Sequence, residues 1–152
     1  MNSISILGSG GMTRSSINLL KNRFPDTKMY IFDESYSDAI KENIHGIPLV
    51  GGLESIDKGT SIFLSMGDNL KRSEYFSLYR DSVIKENLFH KASIVESNCN
   101  LGISNQIYAY AYINSYCNIK NNNIINTRSI IEHEATLGSH NYISIGVLIA
   151  GR

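Results

Sequence analysis

From Val95 onward an aliphatic residue recurs on a fixed hexad frame. Val95, Leu101, Ile107, Ile113, Ile119, Ile125, Ile131, Leu137, Ile143 and Ile149 occupy it without exception. The position four further along each hexad is restricted too. It holds Cys99, Asn105, Ala111, Cys117, Asn123, Ser129, Ala135, Asn141 and Val147, none of them aromatic, charged or long. This period suits a triangular prism in which each hexad supplies one short strand and one corner, so that about 18 residues close a coil. The aliphatic side chain fills the interior, and the small residue fits where a corner leaves little room. One coil cannot bury its own inner face, so coils must stack. The predicted fold for residues 89–152 is a hexapeptide-repeat left-handed parallel β-helix of about three coils, an exception to the right-handed rule for parallel crossovers.

The same register makes two side-chain predictions. Asn105, Asn123 and Asn141 fall on one edge, and strands stacked about 4.8 Å apart bring their amides into a ladder. Cys99, Cys117 and Ala135 fall on a second edge. The cysteines are read as small interior residues carrying free thiols, in a chain without a secretion signal.

Residues 1–88 carry a different pattern. The run 3–7 (Ser-Ile-Ser-Ile-Leu) reads as a strand and leads directly into Gly8-Ser9-Gly10-Gly11. A helical pattern follows with apolar points at Met12, Ile17, Leu19 and Leu20. Residues 29–32 read as a second strand ending on Asp33-Glu34, and residues 60–65 as a third, ending in the turn Met66-Gly67-Asp68-Asn69. Asp68 or Asn69 is expected to cap a helix running to about Ser82. Strand, glycine turn, helix, strand and acidic terminus define an α/β domain of Rossmann type. The dinucleotide fingerprint is incomplete because Thr13 stands where a third glycine belongs. The loop still offers backbone N–H groups at a helix N-terminus, which suits an anionic or sugar-nucleotide ligand; a turn with no ligand is the alternative. The segment from His45 to Gly52 reads as a connecting loop with a short edge segment.

Charge excludes several classes. Lys and Arg balance Asp and Glu, for a net charge of +0. No basic stripe is present to neutralise nucleic-acid phosphates. No apolar run approaches the roughly 20 residues of a membrane span. The N-terminus lacks a basic region followed by an apolar stretch and cleavage site, so a cytoplasmic protein is expected.

Candidate chemistry concentrates at Glu132-His133-Glu134, just past the inward Ile131. An imidazole beside a carboxylate has the parts of a general base, since the carboxylate fixes the tautomer and raises basicity. A surface histidine is the competing reading. A zinc site would need three histidines around one ion, and His90 lies two coils or more from His133 and His140, so no metal is expected.

These motifs resemble the sialic-acid O-acetyltransferase and bacillosamine-type sugar N-acetyltransferase family of bacterial surface-glycan synthesis. The resemblance rests on the Gly8–Gly11 loop, Asp33-Glu34, the Met66–Asn69 turn with Arg72, and Phe89-His90-Lys91-Ala92. Its most specific part is Ile125-Asn126-Thr127-Arg128 through Ile131-Glu132-His133-Glu134. It implies that the N-terminal domain binds a nucleotide-linked sugar through Gly10, Gly11, Met12, Asp33, Glu34 and Gly67. It also implies that His133 is the catalytic base, with Glu134 enhancing its basicity. Acetyl-CoA would be the co-substrate, contacted by Tyr142 and Gly151, in the cleft between neighbouring prisms of a homotrimer. Two departures stand out: amino-sugar members place a histidine at the position of Tyr142, and family members continue for several coils beyond Arg152, which makes this a shortened chain by comparison.

The expected activity is therefore acetyl-CoA-dependent N-acetylation of a UDP- or dTDP-linked 4-amino-dideoxy sugar. The alternatives are O-acetylation of sialic acid, or a binding or scaffold role without catalysis.

Overall fold

The computed structural model describes residues 3–39 and 42–152. The chain divides into two compact units, Met1–Ile84 and Lys85–Arg152.

The first unit is built on a sheet of five strands, β1 (Ser3–Leu7), β2 (Lys28–Phe32), β3 (Asn43–Ile44), β4 (Ile47–Gly51) and β5 (Ser61–Leu64), in the order β3-β4-β2-β1-β5. All pairings are parallel except the β3–β4 hairpin. β1, between β2 and β5, is buried on both faces, Ser5 included, as strands of parallel sheets are. Helix α1 (Gly11–Arg23) follows β1 and buries Ile17, Leu19 and Leu20 together with Thr13 and Ser16. The Ser16 hydroxyl lies 2.8 Å from that of Ser65, tying α1 to the end of β5.

Two expectations for this unit need correction. Helix α2 (Asn69–Leu78) stops at Leu78, not near Ser82. Beyond Tyr79 the backbone turns to the edge of β5, where Ile62 N–H donates to Ser82 O at 2.8 Å and Ile84 N–H donates to Ile62 O at 2.9 Å. An open sheet edge satisfies those groups as well as another helical turn would. The segment after His45 is also more than an edge piece. His45 and Gly46, with φ of 51° and 84°, form the hairpin turn, and the backbone beyond them becomes β4, an interior strand between β3 and β2.

The second unit is the prism. Its strands are two residues each: β6 (Leu88–Phe89), β7 (Ile94–Val95), β8 (Asn100–Leu101), β9 (Gln106–Ile107), β10 (Tyr112–Ile113), β11 (Asn118–Ile119), β12 (Ile124–Ile125), β13 (Ile130–Ile131), β14 (Thr136–Leu137), β15 (Tyr142–Ile143) and β16 (Leu148–Ile149). They stack as three all-parallel faces, β6-β9-β12-β15, β7-β10-β13-β16 and β8-β11-β14. Every aliphatic residue of the hexad frame enters one core, joined there by Cys99, Ala111, Cys117 and Ala135. The prism begins one hexad earlier than the aliphatic frame, because Leu88–Phe89 already pairs with Gln106–Ile107.

The corners have a backbone signature of their own. Asn98, Ser104, Tyr110, Tyr116, Asn122, Arg128, Glu134 and His140 all have φ between 55° and 64°. A left-handed conformation costs a residue with a Cβ roughly 1–2 kcal/mol. It turns the corner N–H towards the coil below, as in Asn122 to Ile103 O (2.8 Å), Glu134 to Ser115 O (3.1 Å) and His140 to Asn121 O (2.9 Å).

The asparagine ladder forms as the register requires. Asn123 Nδ2 donates to Asn105 Oδ1, and Asn141 Nδ2 to Asn123 Oδ1, each at 3.0 Å. It extends one rung further, from Asn105 Nδ2 to Asn87 Oδ1 at 3.0 Å. Each acceptor also takes the backbone N–H of the next asparagine, at 2.8 to 2.9 Å. The thiols of Cys99 and Cys117 donate to Asn114 O and Glu132 O at 3.0 and 3.1 Å.

Candidate functional site

In the first unit a cavity of about 120 Å³ opens beside the carboxyl ends of the parallel strands, where α/β folds of this kind place their ligands. It is lined by Gly8 after β1, Asp33 and Glu34 after β2, Leu53 after β4, and Met66 after β5, with Lys71 and Tyr75 from α2.

Local chemistry fixes each of the polar groups. Asp33 Oδ2 accepts from Ser9 N–H at 2.6 Å, which pins the glycine loop to the end of β2. Its Oδ1 accepts from Ser35 N–H at 2.9 Å and the Ser35 hydroxyl at 2.6 Å. Partial burial pushes the Asp33 carboxyl up, but these hydrogen bonds outweigh it and leave the group below its ordinary range. Glu34 receives Lys71 Nζ at 2.7 Å and the Tyr75 hydroxyl. Lys71 is the first cause, and Tyr75 the second, of a Glu34 carboxyl held below its ordinary value. The same contact drives the Tyr75 phenol up to about 12. Lys71 and Tyr75 stand one helical turn apart on α2 and reach across to the same carboxylate.

Of the residues expected to hold a nucleotide-linked sugar, Asp33 and Glu34 line the cavity, while Gly10, Gly11, Met12 and Gly67 are not among its lining residues. The glycine that matters most for loop geometry is Gly8. Its φ is 108°, and a Cβ there would sit 2.9 Å from Ser65 O. Gly10 is the N-cap of α1, without a side-chain cap or an acidic residue in the first turn, which leaves that end suited to an anion. Thr13 takes the third-glycine place without loosening the packing. It is fully buried, and its hydroxyl donates to Gly8 O at 2.6 Å. Sequence reading missed Lys71 and Tyr75; the available signal was their helical spacing just after the Met66–Asn69 turn. Arg72 is structural, fully buried and donating to Met66 O at 3.1 Å and Asn69 Oδ1 at 2.8 Å.

In the second unit His133 stands at the corner after β13, with its side chain 57% exposed. Its Nδ1 lies 3.1 Å from Glu134 Oε2. Glu132, the other flanking carboxylate, is engaged instead by Asn114 Nδ2 at 2.7 Å. The two-sided acidic flank therefore resolves into one partner for the ring, Glu134. Gly151 lies one coil beyond His133; a Cβ there would come within 3.1 Å of ring Cε1 and 3.2 Å of Nε2. A side chain at 151 would crowd the Cε1–Nε2 edge of the imidazole and the His133 carbonyl, which a Cβ would approach to 2.9 Å. The Tyr142 hydroxyl accepts from Asn126 Nδ2 at 2.6 Å. Among the described residues there is no group of three or more His, Cys, Asp or Glu placed to hold a metal ion. No helix there is long and apolar enough to cross a membrane.

The chain thus joins a glycine-loop α/β domain, with a polar cavity at its strand ends, to a left-handed hexapeptide prism with a His–carboxylate pair at one corner. Residues 3–78 match the PglD N-terminal domain family, and the chain belongs to it. Among solved structures, it is similar to a variant of perosamine N-acetyltransferase from Caulobacter crescentus, in complex with CoA and GDP-perosamine. The two share 25% identity, with a TM-score of 0.78 over 93% of this chain and 68% of that one. The acetyltransferase domain of PglB from Neisseria gonorrhoeae, in complex with acetyl coenzyme A, has the same fold. It matches at 21% identity and a TM-score of 0.80, over 99% of this chain and 75% of that one. WeeI from Acinetobacter baumannii also shares the fold, at 15% identity and a TM-score of 0.81, over 93% of this chain and 69% of that one.

Proposed function

We propose that this protein is an acetyl-CoA-dependent acetyltransferase that N-acetylates the amino sugar of a nucleoside-diphosphate sugar. The observation that carries the reading is the His133–Glu134 pair at a corner of the prism, with Nδ1 on the carboxylate and Nε2 on the open edge beside Gly151. The family match and the neighbour in complex with CoA and GDP-perosamine support it.

In this mechanism Glu134 accepts Nδ1–H and holds the tautomer in which Nε2 carries the lone pair. The sugar amine attacks the thioester carbonyl, forming an N–C bond and a tetrahedral intermediate with the charge on the former carbonyl oxygen. His133 Nε2 takes the proton from the nitrogen, which allows the tetrahedral intermediate to collapse with CoA thiolate as leaving group. The nucleotide is held by the first unit, with Asp33 and Glu34 receiving hydroxyl and N–H donors, and the N-terminal end of α1 at Gly10, Gly11 and Met12 taking the diphosphate. Gly67 closes the turn that leads into α2, and Tyr142 and Gly151 are assigned to acetyl-CoA.

The working form is a homotrimer. Its support is an apolar stripe on the outer side of one prism face, where Ile94, Tyr112, Ile130 and Leu148 stand in register and Ile94 and Leu148 are exposed. The outer side of the β8-β11-β14 face carries Asn100, Asn118 and Thr136 instead. An apolar stripe of this kind calls for a covering partner, and Leu148→Asp should shift sedimentation from trimer to monomer.

The test of function is thiol release from acetyl-CoA with UDP-, dTDP- and GDP-linked 4-amino sugars. His133→Ala should lower kcat by about 100- to 10,000-fold while leaving nucleotide affinity intact. An unchanged His133→Ala rate would overturn the mechanism.

A further inference from the structure

We infer that Arg152 is a positioning residue for the catalytic pair, acting through Glu134; this inference rests on the acetyltransferase reading. Arg152 Nη1 donates to Glu134 Oε1 at 2.6 Å, while Glu134 Oε2 faces His133 Nδ1 at 3.1 Å. The two contacts divide the carboxylate between a cation and the imidazole, one oxygen to each.

The geometry follows from the hexad register. Asn98, Tyr116, Glu134 and Arg152 follow one another at coil spacing, so Arg152 stands one coil above Glu134. A coil is about 4.8 Å, within reach of a guanidinium to a carboxylate. The Glu134 backbone is itself anchored to the coil below through Ser115 O at 3.1 Å. This is the prism's counterpart of an i,i+4 ion pair on a helix, made between successive coils.

The need for such a residue is physical. Glu134 and His133 are both partly exposed, and a carboxylate with one weakly held partner rotates freely. With Oε1 held by Arg152, rotation is restricted and Oε2 stays on Nδ1. The lone pair then stays on Nε2, the edge that Gly151 leaves open. Glu132 cannot substitute, because Asn114 already holds it.

The experiment is a double-mutant cycle on the full chain, with steady-state kinetics for both substrates and 15N NMR of the His133 ring. Arg152→Ala is expected to lower kcat about two- to fivefold, the range of an exposed ion pair, with both KM values unchanged. Arg152→Lys should restore most of the loss. In a Glu134→Ala background, Arg152→Ala should cost nothing further. The NMR signal should report Nδ1–H in the wild type and a mixture of tautomers in Arg152→Ala. A wild-type kcat and tautomer in Arg152→Ala would overturn the inference. So would additive losses with a raised KM for acetyl-CoA, which would put Arg152 on the co-substrate. An active His133→Ala variant would instead overturn the acetyltransferase mechanism, and the ring tautomer would still decide the role of Arg152.

Discussion

Asn123 is the middle of a buried amide ladder, and replacing it gives the sharpest test of what holds the prism together. Its side chain is fully buried. Nδ2 donates to Asn105 Oδ1 at 3.0 Å and Lys120 O at 3.1 Å. Oδ1 accepts Asn141 N–H at 2.8 Å and Asn141 Nδ2 at 3.0 Å. Asn123→Ala removes all four bonds. Asn105 Oδ1 keeps the Asn123 N–H, and Asn141 Nδ2 keeps Ser139 O, so the main loss falls on the Asn141 backbone N–H. An orphaned donor costs about 1–3 kcal/mol and each lost neutral bond roughly 1 kcal/mol, which with partial relaxation puts Asn123→Ala at about 2–4 kcal/mol. Asn141→Ala, at the upper end of the ladder, loses only two side-chain donor bonds and should cost about 1 kcal/mol. Asn123→Asp is the informative companion. At neutral pH it turns an acceptor towards Asn105 Oδ1 and Lys120 O in a buried site, so its folded-state pKa must rise above the unfolded value. Stability relative to wild type should then be greatest below the ordinary carboxylate range and fall as pH rises through it. Urea unfolding followed by far-UV circular dichroism measures all three variants. Equal losses for Asn123→Ala and Asn141→Ala, or an Asn123→Asp penalty that shrinks as pH rises, would refute the ladder argument.

Two further outcomes concern the first unit. Gly8→Ala places a Cβ 2.9 Å from Ser65 O at a φ of 108°; it should cost about 1–3 kcal/mol in thermal unfolding and weaken nucleotide binding in calorimetry. Asp33 and Glu34 both have lowered folded-state pKa values, so the contacts they make are complete above the ordinary carboxylate range and disappear as pH falls through the folded values. Nucleotide affinity should be flat from neutral pH down to about pH 5 and decline below about pH 4; a decline between pH 7 and 5 would assign the titration to another group.

The sequence by itself determined the prism. Ten aliphatic positions on one hexad frame admit a single inward face, so the core, the asparagine register and the place of His133 beside Ile131 all follow from counting. It also determined the strand and glycine-loop order of the first unit, because β1, β2 and β5 are short apolar runs bounded by turn residues. The cavity was only half legible. Asp33 and Glu34 stand at a strand end where acidic residues are expected, whereas Lys71 and Tyr75 belong to a helix whose facing direction depends on how α2 packs against β5. The left-handed corners were not legible either, since Tyr110, Arg128 and Glu134 have no preference for positive φ and take it because stacking demands it. The choice between two flanking carboxylates was likewise tertiary. Asn114 from the coil below takes Glu132, and Arg152 from the coil above takes one oxygen of Glu134. Local periodicity can set which side chains point inward. Beyond the inward asparagine ladder, which outward polar groups pair across coils depends on side-chain direction and stacking, which only the folded chain supplies.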